Sequence, residues 1–257
     1  MSRELDGQTL ASLVPGFVAP AVELLVNAVT PPPVAPTLLA GHHAALMLSA
    51  FQSRYPKARY FLMEAIPPPA LRGVEGNLRA MYGRTYPLPV RTSVVGAAVH
   101  GLCFVDSSGD GPLLRETARS LQPGGTLVAT YLMRGSFDAF LDAAREACES
   151  QGLRDVMGSL VDMEGLFRTP AELEAAASRA GLVDVELGME ERGMPYANAR
   201  AFLADPAVGW LVLRHLRSSE DRKSRLLDEV AGALDTYFSG LGLTARVVTG
   251  VLRGVKP

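Results

Sequence analysis

Leu10, Leu13, Val14, Val18, Val22, Leu25 and Val29 recur at roughly helical spacing through residues 8 to 29. The pattern predicts one or two short helices, interrupted at Pro15 and Pro20 and closed by Pro31-Pro32-Pro33. From residue 34 the pattern changes to short apolar runs alternating with amphipathic stretches. It predicts a strand over 34–40, a helix over 44–53 with Leu46, Leu48 and Phe51 on its apolar side, a strand over 59–63 and a helix over 71–81. One or two short strands follow within 90–105, interrupted by Gly96 and Gly101, then a helix over 112–121 and a strand over 124–132. Repeated strand and helix units of this size imply an α/β chain with a mostly parallel, twisted sheet covered on both faces.

The later half is more helical. Phe137, Phe140, Leu141 and Ala144 predict a helix over 135–150. Thr169-Pro170-Ala171-Glu172 reads as a helix opening, with a capping hydroxyl, a proline in the first turn and a glutamate three residues after the cap. That helix should end near Gly181, before a strand starting over 183–187; a helix over 219–238 and a strand over 243–252 complete the chain. No internal repeat or linker interrupts this order. The expected organisation is a helical arm at 1–33 and one domain at 34–257, with helical insertions and cover at about 150–215.

Composition narrows the partners. The 257 residues are 48% hydrophobic and 20% charged, with a formal net charge of -2 and no long basic tract, so a nucleic-acid partner is not expected. Cys103 and Cys148 make no disulfide framework, the first residues lack the features of a secretory signal, and the apolar runs are too short or interrupted to span a bilayer. A cytoplasmic protein without a membrane span is the expectation.

Leu121-Gln122-Pro123-Gly124-Gly125-Thr126-Leu127, after an amphipathic helix and before a strand, resembles the turn before the fifth strand of class I S-adenosylmethionine-dependent methyltransferases. The elements after it also resemble that family, especially small-molecule methyltransferases akin to the biotin-synthesis and ubiquinone-synthesis enzymes. These are a helical insertion, Thr169 to Leu173, Ala180-Gly181-Leu182-Val183-Asp184-Val185, and a late strand ending Val251-Leu252-Arg253-Gly254. The resemblance covers roughly 34–257 and implies a single Rossmann-like domain with a seven-stranded, mostly parallel sheet and a helical cover.

It also implies a cofactor site. In the family the first strand ends in an acidic residue followed by GxGxG, and an acid at the end of the second strand binds the cofactor ribose. Arg54-Tyr55-Pro56-Lys57-Ala58-Arg59 resembles the connection into that second strand and anchors an ungapped match. The match places Glu64 at the ribose acid, Gly41, His43 and Ala45 at the three glycines, Leu39 at the first acid and Tyr82 where an acid often meets the adenine amine. Gly41, His43, Glu64 and Tyr82 are thus the cofactor-binding candidates. The motif is degenerate. A Cβ at positions 43 and 45 narrows the space that glycine leaves for a cofactor, and Leu39 accepts no hydrogen bond from a charged amino-acid group.

Two functions stay open. One is a non-catalytic or repurposed methyltransferase-like protein that binds a protein partner or a non-standard ligand and uses no cofactor. The other is an active enzyme that holds S-adenosylmethionine through atypical contacts and methylates a small, partly apolar acceptor. For an acceptor, the candidates are Tyr131 and Arg134 after the fifth strand, with Met163 and Tyr196 from the apolar stripes at 157–167 and 189–196, which read equally as core packing. His42 and His43 are adjacent, so their side chains diverge; no metal is expected. Cys103 reads as an inert thiol, and Asp106, Ser107, Ser108 and Asp110 as a turn. Trp210 and His215, in or beside an apolar helix over 208–216, read as a cap over the sheet or as a partner surface. Neither a G-x-S-x-G elbow nor the Asn/Asp-Pro-Pro-Tyr motif of base methyltransferases is present.

Overall fold

A computed structural model of the chain describes residues 14–29, 35–41, 44–64, 78–82, 88–101, 111–239 and 242–257. The two prolines of the first helical pattern leave it in two pieces. A π-helical turn at Val14–Val18 runs into α1 (Ala19–Ala28), which buries Ala21, Val22 and Leu25. Alternation follows: β1 (Thr37–Gly41), α2 (Ala44–Arg54), β2 (Tyr60–Glu64), β3 (Leu78–Tyr82), β4 (Val95–Gly101), α3 (Gly111–Ser120) and β5 (Leu121–Leu132). The later half contains α4 (Asp138–Ser150), α5 (Arg154–Glu164), α6 (Pro170–Arg179), β6 (Val183–Tyr196), α7 (Ala199–Ala204), α8 (Pro206–Leu211), α9 (Glu220–Tyr237) and β7 (Leu243–Val255).

The fold is a mixed α/β, Rossmann-like one with a central sheet of order β3-β2-β1-β4-β5-β7-β6. β1 pairs in parallel with β2 and β4, as do β2 with β3 and β4 with β5. The sheet is mixed: beside these parallel pairings, β7 runs antiparallel to β5 from Thr126↔Val255 to Leu132↔Thr249.

Other departures have local causes. The helix expected over 71–81 ends instead in β3, whose Leu78–Tyr82 pair one for one with Tyr60–Glu64; 71–77 lie outside the described residues. A short apolar run does not distinguish a strand from a turn of helix by spacing alone. β6 runs well past residue 187 because it is the last strand in the order and mostly exposed, so it needs no alternating apolar face. Backbone hydrogen bonds to β7 hold it, and ion pairs cross the same seam, Glu186 with Arg253 at 3.2 Å and Glu191 with Arg246 at 2.6 Å. The helix expected over 208–216 stops at Leu211, where Val212 leaves helical geometry (φ -121°, ψ -65°) and a short 3-10 turn takes over at Leu213–His215.

The chain divides into two units. One comprises Val18–Leu132, Arg168–Met189 and Thr249–Pro257; the other comprises Met1–Phe17, Met133–Phe167 and Glu190–Val248. In the first, Leu38, Leu39, Leu62, Val99, Leu127 and Val128 are fully buried, the signature of strands covered on both faces. Tyr55 and Tyr60 tie it together. The Tyr55 hydroxyl donates to the Val29 carbonyl at 2.6 Å, and the Tyr60 hydroxyl lies 2.9 Å from the Phe51 carbonyl and 2.8 Å from that of Tyr55.

The second unit is centred on Phe137, which takes a left-handed conformation (φ 59°) just before α4. Its ring lies 6.2 Å from those of Phe17 and Phe167 and 6.3 Å from Phe202. Among the described residues no helix is long and apolar enough to cross a membrane.

Candidate functional site

Parallel pairing fixes which residues share an edge. Gly41 ends β1 opposite Gly101, which ends β4, and Glu64 ends β2 opposite Tyr82, which ends β3. Ala40 pairs with Met63, so Gly41 lies one step on in register, beside Glu64. Adjacent strands are about 4.8 Å apart, and Gly41, Glu64 and Tyr82 therefore form one row at the carboxyl edge, where open α/β sheets collect ligands. His43, with His42, Cys103 and the 106–110 turn, lies outside the described residues.

Leu39, two residues before the edge, is 0% exposed and pairs with Leu62 on one side and Val99 on the other. The following helix also approaches closely: a Cβ at Gly101 would lie 2.8 Å from the Met47 sulfur of α2, so the Met47 side chain would have to shift to admit one. Among the described residues, no three His, Cys, Asp or Glu side chains converge to hold a metal.

His100 was invisible to the pattern. It is buried on β4 between Ala40 of β1 and Ala129 of β5, and its Nε2 lies 3.0 Å from Thr117 Oγ1 of α3. Burial lowers its pKa to about 4, so the ring is neutral at physiological pH and fixes α3 to the sheet end through a hydrogen bond. The only sequence signal is a titratable residue inside an apolar strand.

The acceptor candidates separate by environment. Tyr131, in the first unit, is 1% exposed and opposite Gly250 in β7. In the second unit Arg134 is exposed and Met163 is buried in α5. Tyr196 is half-buried, its hydroxyl donating to Asp205 Oδ2 at 2.7 Å and its ring meeting Phe202 edge-on at 5.3 Å. Its pKa is raised by burial and then by that carboxylate, which also caps α8 by accepting from the Ala207 amide. Arg214 stacks over the Trp210 ring at 4.1 Å and points its Nε at His215. Burial, then the neighbouring Arg214 and Arg217 charges, lower the His215 pKa to about 4.

No protein-family model and no curated protein matches the chain. Solved structures do. A protein assigned as a methyltransferase of an antibiotic biosynthesis pathway in Anabaena variabilis is 12% identical, with a TM-score of 0.58 over 95% of this chain and 99% of that one. The YcgJ protein of Bacillus subtilis is 15% identical, with a TM-score of 0.57 over 93% and 98%. A chain of the Haloferax volcanii complex between the Trm112 methyltransferase activator and an assigned methyltransferase is 14% identical, with a TM-score of 0.53 over 98% and 95%. At these identities the likeness is one of fold: the chain has the class I methyltransferase-like fold.

Proposed function

We propose that this is a degenerate member of the methyltransferase fold that works by binding a protein partner or a ligand other than S-adenosylmethionine. The observation that supports the reading is Leu39. A fully buried leucine between Leu62 and Val99 stands where the resemblance calls for an acid, so the charged amino-acid end of the cofactor has no counter-ion at the end of β1. The Haloferax complex offers a parallel, since there an assigned methyltransferase is held by a protein activator. Residues 34–257 form the methyltransferase-like domain in this proposal, 1–33 an arm and about 150–215 the cover; the protein is cytoplasmic and has no nucleic-acid partner.

The row formed by Gly41, Glu64 and Tyr82 favours a second reading, an S-adenosylmethionine-dependent methyltransferase of a small, partly apolar acceptor. In this reading Glu64 would accept from the ribose hydroxyls, Gly41 would let the chain's own backbone approach the cofactor, and Tyr82 and His43 would be the remaining cofactor-binding residues. Tyr131, Arg134, Met163 and Tyr196 are the acceptor residues of that reading. The cofactor would supply the methyl group, and the chain's own residues would act by positioning. Calorimetric titration of ligand-free protein with S-adenosylmethionine and S-adenosylhomocysteine decides between them. No heat of binding at millimolar ligand is the expected result; saturable micromolar binding weakened by Glu64→Ala would replace the first reading with the second.

A further inference from the structure

The second unit carries a groove of about 1120 Å³ between α4 and α9, unrelated to the carboxyl-edge row. Asp138, Asp142 and Glu146 line one wall at intervals of four residues, so they stack on one face of α4 about 6 Å apart. Glu229 of α9 faces them. The floor is made of small residues, Ala139 and Ala143 from α4 with Gly232 and Ala233 from α9, and Tyr237 stands 79% exposed at the lip with Phe238 edge-on beside it at 4.9 Å.

The charge on these walls is only partly compensated, each of two arginines being shared between two carboxylates. Arg145 is shared between Asp142 and Glu164, and Arg246 between Asp138 and Glu191. Glu229 is met only by the neutral Ser150 and Gln151, and neither it nor Glu146 has a cationic partner among the described residues. The carboxylates are exposed, so they are not holding the fold together; surface pairs of this kind contribute little to stability. A shallow apolar floor, a carboxylate ladder with the pitch of a helix, and an uncovered aromatic at one end have a common complement.

We propose that this groove docks an amphipathic helix of a partner protein that presents lysine or arginine at intervals of about four residues beside small apolar side chains. The ligand helix lies along the floor, its cations matched turn for turn to Asp138, Asp142 and Glu146. Tyr237 packs its ring on the helix end, the role aromatic residues often take at the centre of binding energy. The proposal gives a partner class to the binding reading above, which it presupposes, but it uses none of the residues of the carboxyl-edge row.

The probe is a fluorescein-labelled synthetic peptide of about 18 residues, helical by design, with Lys at positions 4, 8 and 12 of the design and Ala or Leu beside them. Fluorescence anisotropy with the full chain should give saturable binding on the order of 10 μM at 0.05 M salt, falling about tenfold at 0.5 M. Gly232→Leu is the decisive variant. A Cβ there has nothing within 4 Å, so the new side chain enters the groove without disturbing the fold. It should weaken binding at least about tenfold with a thermal midpoint no lower than wild type, and Glu146→Lys should weaken it as much; Gly209→Leu, equally open but outside the groove, should leave binding unchanged.

No saturable binding at 1 mM, or binding indifferent to Gly232→Leu and Glu146→Lys, would overturn the proposal. Equal binding of a peptide with Glu in place of Lys would do so too. Sedimentation showing a dimer that Gly232→Leu dissociates would assign the groove to a second copy of the chain instead. The S-adenosylmethionine titration is independent of all these outcomes, so either proposal can fail alone.

Discussion

Leu39→Asp restores the side chain that the methyltransferase resemblance places at the end of the first strand, and its cost measures whether that position faces a cleft or a core. Leu39 is 0% exposed between Leu62 and Val99. Truncating a buried leucine costs about 2–5 kcal/mol, a term that Leu39→Ala measures alone. Aspartate adds an electrostatic term. In the unfolded chain its pKa is about 3.9, and a core that keeps the carboxyl neutral must bind a proton at pH 7, which costs about 1.4 kcal/mol for each of roughly three pH units, or about 4 kcal/mol.

The sign follows directly. A carboxyl whose native pKa is raised leaves the native state favoured below about pH 3.9, and that advantage is lost as pH rises toward the native value. Relative to the neutral Leu39→Asn, Leu39→Asp should therefore be nearly equal at pH 4, lower by about 1.5 kcal/mol at pH 5 and by about 4 kcal/mol at pH 7. With total stabilities of roughly 5–15 kcal/mol, the variant should be largely unfolded at pH 7 if the protein lies at the lower end. Urea unfolding followed by circular dichroism, at pH 4, 5, 6 and 7, reads this slope. Equal stability of the Asp and Asn variants across the range would refute the reasoning, because it would mean that the carboxylate stays ionised in a polar cleft, ready for a cofactor amine.

His100→Gln should remove an acid sensitivity. The native pKa of about 4 lies below the unfolded value of about 6.5, so its contribution is present above pH 6.5 and lost as pH falls toward 4, about 3 kcal/mol in all; parallel stability curves for wild type and variant between pH 7.5 and 4.5 would sink the assignment. Gly124→Ala should cost about 1 kcal/mol, because φ is +76° with open space around it, whereas Gly125→Ala should cost about 2 kcal/mol or more, since its Cβ would lie 2.8 Å from the Gln122 carbonyl oxygen. The reverse order of thermal midpoints would contradict that geometry. Thr169→Ala should cost about 1 kcal/mol by opening the capping box with Glu172, and a double-mutant cycle without coupling between the two would show that the box contributes nothing.

What was legible in the sequence depended on whether the physics was local. The box at Thr169 needs only four consecutive residues, and the structure forms it. β1 and β5 announce themselves as apolar runs because both faces are covered. β3 does not, because five residues of mixed character fit either a strand or a helical turn, and its pairing with β2 supplies the decision. The far half of β6 does not read as a strand, falling instead within the expected cover, because Glu190, Glu191 and Arg192 belong to an edge strand that owes little to burial. His100 and Thr117 are 17 residues apart, and only the packing of α3 on the sheet makes them partners. The groove has one readable wall, the four-residue spacing of Asp138, Asp142 and Glu146, while the other wall comes from α9 more than 80 residues later.

The most specific motif of the chain lies at the edge of the sheet away from the cofactor candidates. In the β4–β5 pairing Val95 meets Leu121 while Ala97 meets Thr126, so Gln122 to Gly125 form a loop pushed out at the start of β5. There Gly124 donates its amide to the Lys256 carbonyl and Gly125 accepts from the Lys256 amide, closing the end of β7 onto the sheet, and Gly125 passes so near Gln122 and Gly96 that no side chain fits. These glycines are required by the chain's own backbone whatever the carboxyl edge holds. The glycines expected after β1 answer only to a bound cofactor. A chain without the cofactor needs only the first set, which fits the sequence: Gly124 and Gly125 stand, while His43, Ala45 and Leu39 occupy the positions where the resemblance calls for two glycines and an acid. The fold itself is shared with solved structures at 12–15% identity. It follows that placing glycine at 43 and 45 should leave the sheet's stability within about 1 kcal/mol of wild type, whereas Gly125→Ala should cost about 2 kcal/mol or more.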